Sequence, residues 1–332
     1  MSTHRGAGTA TRAGRTLSVI DGFTGEHRFL SNFWVHPMTW NGHEAASGEH
    51  HFNAAKTLDP VEADRVRSAE SPRAAKQVGR KVTLRPEWDE HVRFEVMRGV
   101  TETKFADPAL RRRLLDTGDD LLIETNTWHD QVWGQCSCAG HRMRPGANHL
   151  GRTLMDVRST LRGDGPQHWP RVALTGHRPE EFDAPQQRWV QDTLGEVLAD
   201  LCARHGTQVA ITGMETGADT WWAQTASAAG VQTWAYVPSE MQAATWPAED
   251  QAVWTSLLAA AAREVVLADQ DDEQLLHARN DLMIRDANLV VAVHQPGKTT
   301  GGTANIIRKA RAAGKPMIRV NPTDRTVTSV AP

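Results

Sequence analysis

Tyrosine is nearly missing from this chain, occurring once in 332 residues. Cysteine is almost as scarce: Cys136, Cys138 and Cys202 are too few and too unevenly spaced for a disulfide framework. Positive charge is not in surplus either. The chain carries 37 basic and 40 acidic side chains, a formal net charge of -3, so no global field draws it to nucleic acid. A local basic surface is still available from Arg65, Arg67, Arg73, Lys76, Arg80 and Lys81. No apolar run approaches the roughly 20 residues that span a bilayer, and no secretory-leader pattern opens the sequence. The expectation is a cytoplasmic protein with no membrane contact. What is abundant is tryptophan, at 12. Many of these indoles belong in cores; others offer a flat face on which a base can stack.

The length suits two domains. Residues 1–16 are Gly, Ala, Thr, Ser and Arg without periodicity and read as a flexible tail. Residues 17–162 read as an α+β, mostly helical domain. Helices are expected over Gly48–Leu58, Pro60–Ser68, Ser71–Val78, Trp88–Lys104, Pro108–Asp116 and Asn148–Leu161, a strand over Leu121–Glu124 and a loop over Trp133–Asn148. Gly163-Asp164-Gly165-Pro166 breaks the pattern, and a linker is placed over 163–168. From 169 to 325 short apolar strands alternate with helices, the pattern of an α/β doubly wound, Rossmann-like parallel sheet.

The segment from Ser47 to Lys56, Ser-Gly-Glu-His-His-Phe-Asn-Ala-Ala-Lys, carries the most chemistry. Glu49, Asn53 and Lys56 fall at i, i+4 and i+7, on one helix face. A carboxylate, an amide and an amine then converge, although an exposed ion-pair stripe fits the same spacing. His50 and His51 point about 100° apart, so at most one can face a site. Cys136-x-Cys138-x-x-His141 has the form of part of a metal site. No fourth ligand is evident near it, and solvent-facing cysteines without metal are expected.

Around this helix lie Phe29-Leu30-Ser31-Asn32-Phe33, Trp88, Asp130-Gln131-Val132-Trp133-Gly134 and Asn148 through Met155. In this order the set resembles the NADAR (YbiA-like) N-glycosidases over roughly residues 20–162. The resemblance implies hydrolysis of the N-glycosidic bond of a ribosylated base, with no cofactor. Its substrate classes are ADP-ribosylated guanine, free or in nucleic acid, and riboflavin-pathway ribosylaminopyrimidine phosphates. It implies Glu49, Lys56 and Asp130 as catalytic residues and Trp88, Trp133 and Asn148 as substrate contacts, the two tryptophans fitting a buried core equally well; Asn32, Phe33, Asn53 and Gly134, in or beside the same segments, are expected as further contacts. Position 51 departs from the family's usual aromatic, which bears on pocket shape. The chemistry suits these residue types. Cleavage builds positive charge on the sugar, which a carboxylate stabilises. Alternatively, a lysine attacks C1' of the opened ribose to give an imine.

In the second domain three glycine-containing loops follow strands and precede helices, and such loops let a backbone approach phosphate. They resemble the SLOG superfamily (the YpsA, DprA and LOG groups). The residues that carry this are Thr175-Gly176-His177-Arg178, Gly217-Ala218-Asp219 and Gly301-Gly302-Thr303-Ala304-Asn305. The resemblance implies nucleotide binding by Thr175, Gly176, His177, Arg178, Gly213, Gly217, Asp219, Arg279, Asn280, Gly301, Gly302 and Thr303. It also implies self-association into a homo-oligomer. The hydrolytic members' Glu on the last of these helices is absent here, which favours binding over catalysis. The leading expectation is an N-glycosidase joined to a domain that senses or holds a nucleotide or ADP-ribose-type ligand. The alternative is a nucleotide sensor in which the second domain is the working part.

Overall fold

A computed structural model describes residues 16–141, 144–165, 167–269 and 272–330. The expected N-terminal tail lies outside the described residues except for its last position. The chain divides into two compact units, Ser18–Gly165 and the remainder. Among the described residues no helix is long and apolar enough to cross a membrane.

The first unit opens with β1 (Val19–Asp21), then a hairpin of β2 (Val35–Trp40) and β3 (His43–Ser47). The helices α1 (Gly48–Ala54), α2 (Pro60–Arg67) and α3 (Pro72–Gly79) follow. Asp59 and Ser71 cap α2 and α3 through their side chains, with proline in the first turn of each. The expected long helix from Trp88 is two pieces, one π-helical turn over Trp88–Val92 and then α4 (Arg93–Lys104). After α5 (Pro108–Asp116), β4 (Leu121–Ile123) pairs with β1 in parallel. The stretch expected as loop contains structure: β5 (Thr125–Asn126) pairs with β6 (Gln135–Cys136), holding an excursion of the chain between them. The unit closes with α6 (His149–Arg162). Its core is apolar throughout, including Phe29, Leu30, Phe52, Val100, Phe105, Leu114 and Leu154. Burial of each such side chain contributes about 1.5–3 kcal/mol.

The second unit alternates as its sequence does. Strands β7 (Arg171–Gly176), β8 (Val209–Thr212), β9 (Gln232–Ser239) and β10 (Arg263–Ala268) alternate with α7 (Ala184–His205), α8 (Ala218–Ala228) and α9 (Ala248–Ala259). Then come α10 (Glu273–Asp286), β11 (Leu289–Val293), α11 (Gly302–Ala312), β12 (Met317–Asn321) and β13 (Thr326–Val330). The sheet order is β10-β9-β8-β7-β11-β12-β13, parallel except for β13, which runs antiparallel to β12 and was not anticipated. The direction of winding reverses between β7 and β11, where open α/β sheets bind ligands. The chain's single tyrosine, Tyr236, is fully buried on β9, its hydroxyl donating to Asp286 Oδ2 at 2.6 Å.

Candidate active site

The first unit holds a half-open cavity of about 830 Å³. Glu49 and Asn53 of α1, Lys56 just beyond it, and Asp130 and Trp133 of the β5–β6 excursion all line it. Asn32 and Phe33 line it too, from the turn before β2.

Helix α1 is shorter than its sequence suggests. It ends at Ala54 with Ala55 as the C-cap, so Lys56 stands past the helical face and is not stacked at i+7. The chain turns there because Thr57 Oγ1 donates to Glu62 Oε2 and receives Asp59 N–H, leading into the Asp59 cap. Lys56 still reaches back: its Nζ donates to Asn53 Oδ1 at 2.7 Å, and Asn53 Nδ2 donates to Glu49 Oε1 at 3.0 Å. The amide therefore links amine to carboxylate, and the convergence of the three groups runs through Asn53. Glu49 is only 7% exposed. Burial raises its carboxyl pKa above the ordinary 4.5, against the lowering influence of Lys76, the Asn53 hydrogen bond and Lys56. Burial likewise lowers the Lys56 amine below its ordinary 10.5, with Glu49 acting in the opposite direction.

Asp130 is held rather than free. Its Oδ1 accepts from Val132 N at 3.0 Å and Trp133 N at 2.9 Å, while Asn126 clamps the Asp130 main chain on both its N–H and C=O. Trp133 packs on Phe52 and Phe94 at ring-centroid distances of 5.2 and 5.5 Å.

Three expected contacts fall elsewhere. Trp88 is buried behind Phe52, 5.2 Å between rings, and supports the wall without lining it. Gly134 is buried because a Cβ there would lie 2.0 Å from Glu124 O; its role is close backbone passage. Asn148 sits in the left-handed region (φ 52°), its side chain bridging Leu122 O and Glu124 N and fixing the strand end. His50 and His51 both turn inward. His50 binds Ser47 Oγ and Ala69 O, and His51 binds Met38 O, so neither lines the cavity.

Sequence reasoning missed Glu124. It lines the cavity from the end of β4, and burial, reinforced by Asp130 and Glu49, raises its carboxyl to about 7. A lone acid after an apolar strand carries no motif. Of the residues expected to form a local basic surface, Arg73 and Lys76 of α3 and its C-cap Arg80 line the cavity, a placement the sequence did not give, and make one wall a cationic face opposite in sign to the carboxylates. Trp128, 62% exposed, adds a free indole at its edge.

In the second unit the expected ligand residues gather at the C-terminal ends of β7, β8 and β11, with a mixed outcome. Gly217 (φ 87°) and Gly301 (φ 92°) are the N-caps of α8 and α11, followed by Gly302. Gly176 allows close packing, since a Cβ would meet Ala218 Cβ at 2.3 Å, and its carbonyl accepts from Thr303 Oγ1. Thr175 is buried in the strand. His177 stacks on His294 at 5.4 Å, and burial lowers its imidazole to about 4. Arg279 and Asn280 are interior residues rather than open contacts. Arg279 Nη1 donates to Gly213 O at 2.6 Å and faces Asp219, whose carboxyl burial raises to about 7. Arg178 does face open space: paired with Glu215 at 3.2 Å, it lines a polar cavity of about 700 Å³ together with Gln242, Trp246 and Asp250.

Comparison with known proteins bears on the first unit. The NADAR domain profile matches residues 22–162. An N-glycosidase of Nostoc punctiforme is 37% identical over 139 residues, covering 40% of this chain and 85% of that protein. N-glycosidase YbiA of Escherichia coli is 37% identical over 135 residues, covering 40% and 80%. Among solved structures, the NMR structure of E. coli YbiA aligns with a TM-score of 0.40 and 30% identity, over 46% of this chain and 91% of that one. DNA processing protein A from Streptococcus pneumoniae aligns with a TM-score of 0.35 and 17% identity, over 46% and 51%.

Proposed function

The chain belongs to the NADAR family through residues 22–162 and is an N-glycosyl hydrolase, and we propose that it cleaves the base from a phosphorylated ribosyl compound. ADP-ribosylated guanine and a ribosylaminopyrimidine phosphate are the two substrate classes. The observation that carries this is the polarity of the 830 Å³ cavity: carboxylates Glu49, Glu124 and Asp130 stand with the Lys56 amine, and Arg73, Lys76 and Arg80 supply a phosphate-binding wall.

In this reading the phosphates lie against α3, the base stacks on the indoles of Trp128 and Trp133, and C1' lies near Glu49. As the C1'–N bond lengthens, positive charge on the sugar is stabilised by the Glu49 carboxylate, which also orients water. The departing nitrogen needs a proton. Glu124, divided between its acid and its carboxylate near neutral pH, is matched to supply it. Lys56, with its basicity lowered, can instead add to C1' of the opened ribose; the C1'–N bond then breaks, the base leaves with a proton from Glu124, and water hydrolyses the remaining imine to free amine and sugar aldehyde. Asp130 positions the excursion that carries Trp133 and adds negative potential.

Purified protein incubated with each substrate should release free base or ADP-ribose from one of them, and Glu49→Gln should lower that rate about 10²–10⁴-fold. Turnover of neither would reject the reading. Borohydride should trap substrate on the wild type and not on Lys56→Ala; no trapping would leave Glu49 acting through water alone.

For the second unit the reading is a SLOG-like nucleotide-binding domain. Its support is the polar cavity beside Arg178 and the glycine-capped α8 and α11 near the switch in winding.

A further inference from the structure

The excursion between β5 and β6 brings together four side chains that sequence spacing keeps apart. His129 comes from the excursion itself and Cys136 from β6. Cys138 follows two residues later, and His141 closes the 3-10 turn Ala139–His141. One ligand atom from each lies within 4.8 Å of every other. Cys138 Sγ is 3.1 Å from His141 Nδ1 and 3.5 Å from His129 Nδ1. Cys136 Sγ is 3.9 Å from His129 Nδ1, and the two imidazole nitrogens are 3.4 Å apart. Zn–S bonds of about 2.3 Å and Zn–N bonds of about 2.0–2.1 Å, set tetrahedrally, place ligand atoms roughly 3.3–3.8 Å apart. The observed spacings bracket that range. All three cysteines are free thiols, and Cys136 is 3% exposed rather than solvent-facing as its loop position suggests. His129 is held at φ 67°, a left-handed backbone that turns its ring toward the cysteines, and it is exposed, leaving an entry path.

We propose that His129, Cys136, Cys138 and His141 bind one Zn2+ ion as a closed, four-coordinate structural site. Thiolate and imidazole together suit this ion. With four protein ligands the ion keeps no open position for substrate. Its effect is to tie the excursion to its own base. That excursion also carries Trp128, Asp130 and Trp133 of the cavity wall, and His129 itself lines the cavity between Trp128 and Asp130. The ion would add a tie at His129 to the Asn126 clamp and to the backbone bonds that Gln131, Val132 and Trp133 accept from Ala147, His149 and Leu150. The pattern is hard to read in sequence because Cys-x-Cys is shorter than the usual ligand pair. The missing ligand also lies seven residues upstream of Cys136, beyond a tryptophan that lines the cavity and a glycine that packs against Glu124.

The test uses the full chain, purified in reductant without chelator and assayed by elemental mass spectrometry. About one zinc per chain is expected, retained in Cys202→Ser and lost in the Cys136→Ser/Cys138→Ser double variant. Should the double variant fail to fold, Co2+ loaded into the wild type gives the deciding signal: tetrahedral d–d bands with thiolate-to-cobalt charge transfer. Negligible metal in reduced wild type after incubation with Zn2+, together with no such bands, would overturn the site. Zinc retained by a folded double variant would also overturn it, marking the ion as adventitious. Stripping the metal should raise amide hydrogen exchange across residues 127–135 specifically; unchanged exchange there would refute the pinning role.

Discussion

Glu49 and Asp286 are carboxylates removed almost completely from water, one in each unit, and their surroundings drive them in opposite directions. Glu49 accepts a side-chain hydrogen bond from the neutral Asn53 amide and faces a cavity, and its pKa is raised. Asp286 accepts from Arg285 Nε at 2.6 Å and from the Tyr236 hydroxyl at 2.6 Å, and despite burial its pKa is lowered. The first acid is left with a desolvation cost that Lys76, the Asn53 hydrogen bond and Lys56 offset only in part; the second is compensated on both oxygens. A buried acid that the fold does not neutralise, set against open volume, is arranged for a ligand. One neutralised within filled space is arranged for stability.

The contrast can be broken in order of expected effect. Asp286→Ala removes the carboxylate that Arg285 donates to and leaves Tyr236 without its acceptor. It should cost about 3–5 kcal/mol of folding stability, measured by urea denaturation. A loss below about 1 kcal/mol, the range of an exposed pair, would show that Asp286 is not the structural partner described.

Glu124 sharpens the other side. Its carboxyl is raised from 4.5 to about 7 in the folded chain, so folding favours the protonated form. That contribution is fully present below pH 4.5 and is lost as pH rises through 7. In Glu124→Gln, stability should fall less steeply over that interval. The turnover rate should also lose its decline above pH 7, because the proton donor is lost from the wild type as it ionises. An unchanged pH profile of kcat/KM would remove Glu124 from the proton transfer. The smallest effect belongs to surface charge. Arg98, whose Nε donates to Glu102 at 3.0 Å on an exposed face of α4, should change stability by no more than about 0.5 kcal/mol when replaced by alanine. A larger loss would mean that exposed pairs matter as much as buried ones here.

Much of this was legible in the sequence because period and order carry it. The alternation after Pro166 gives the parallel sheet directly, since each buried strand is a short apolar run between amphipathic helices. Glu49 and Asn53 were legible because four residues along a helix put them on one face. Lys56 lines the cavity for a reason that the i+7 spacing does not give: its position depends on the turn that Thr57, Glu62 and Asp59 build after α1. Trp88, Gly134 and Asn148 resemble site residues in sequence, yet they support the wall through ring packing, close backbone passage and a side-chain bridge. Glu124, the placing of the α3 basic residues on the cavity and the His129 ligand depend on contacts across tens of residues or on a backbone turn, and no local pattern announces them. Edge strand β13 was equally silent, because an exposed antiparallel edge needs no apolar run.

The central claim is that Glu49 serves chemistry and not the fold. The most direct measurement is release of free base or ADP-ribose by Glu49→Gln beside its thermal midpoint. The account predicts a rate lowered about 10²–10⁴-fold with a midpoint equal to or above that of the wild type, because a buried acid whose desolvation is only partly compensated has been made neutral. Wild-type turnover by Glu49→Gln, or activity lost only in proportion to unfolded protein, would contradict it.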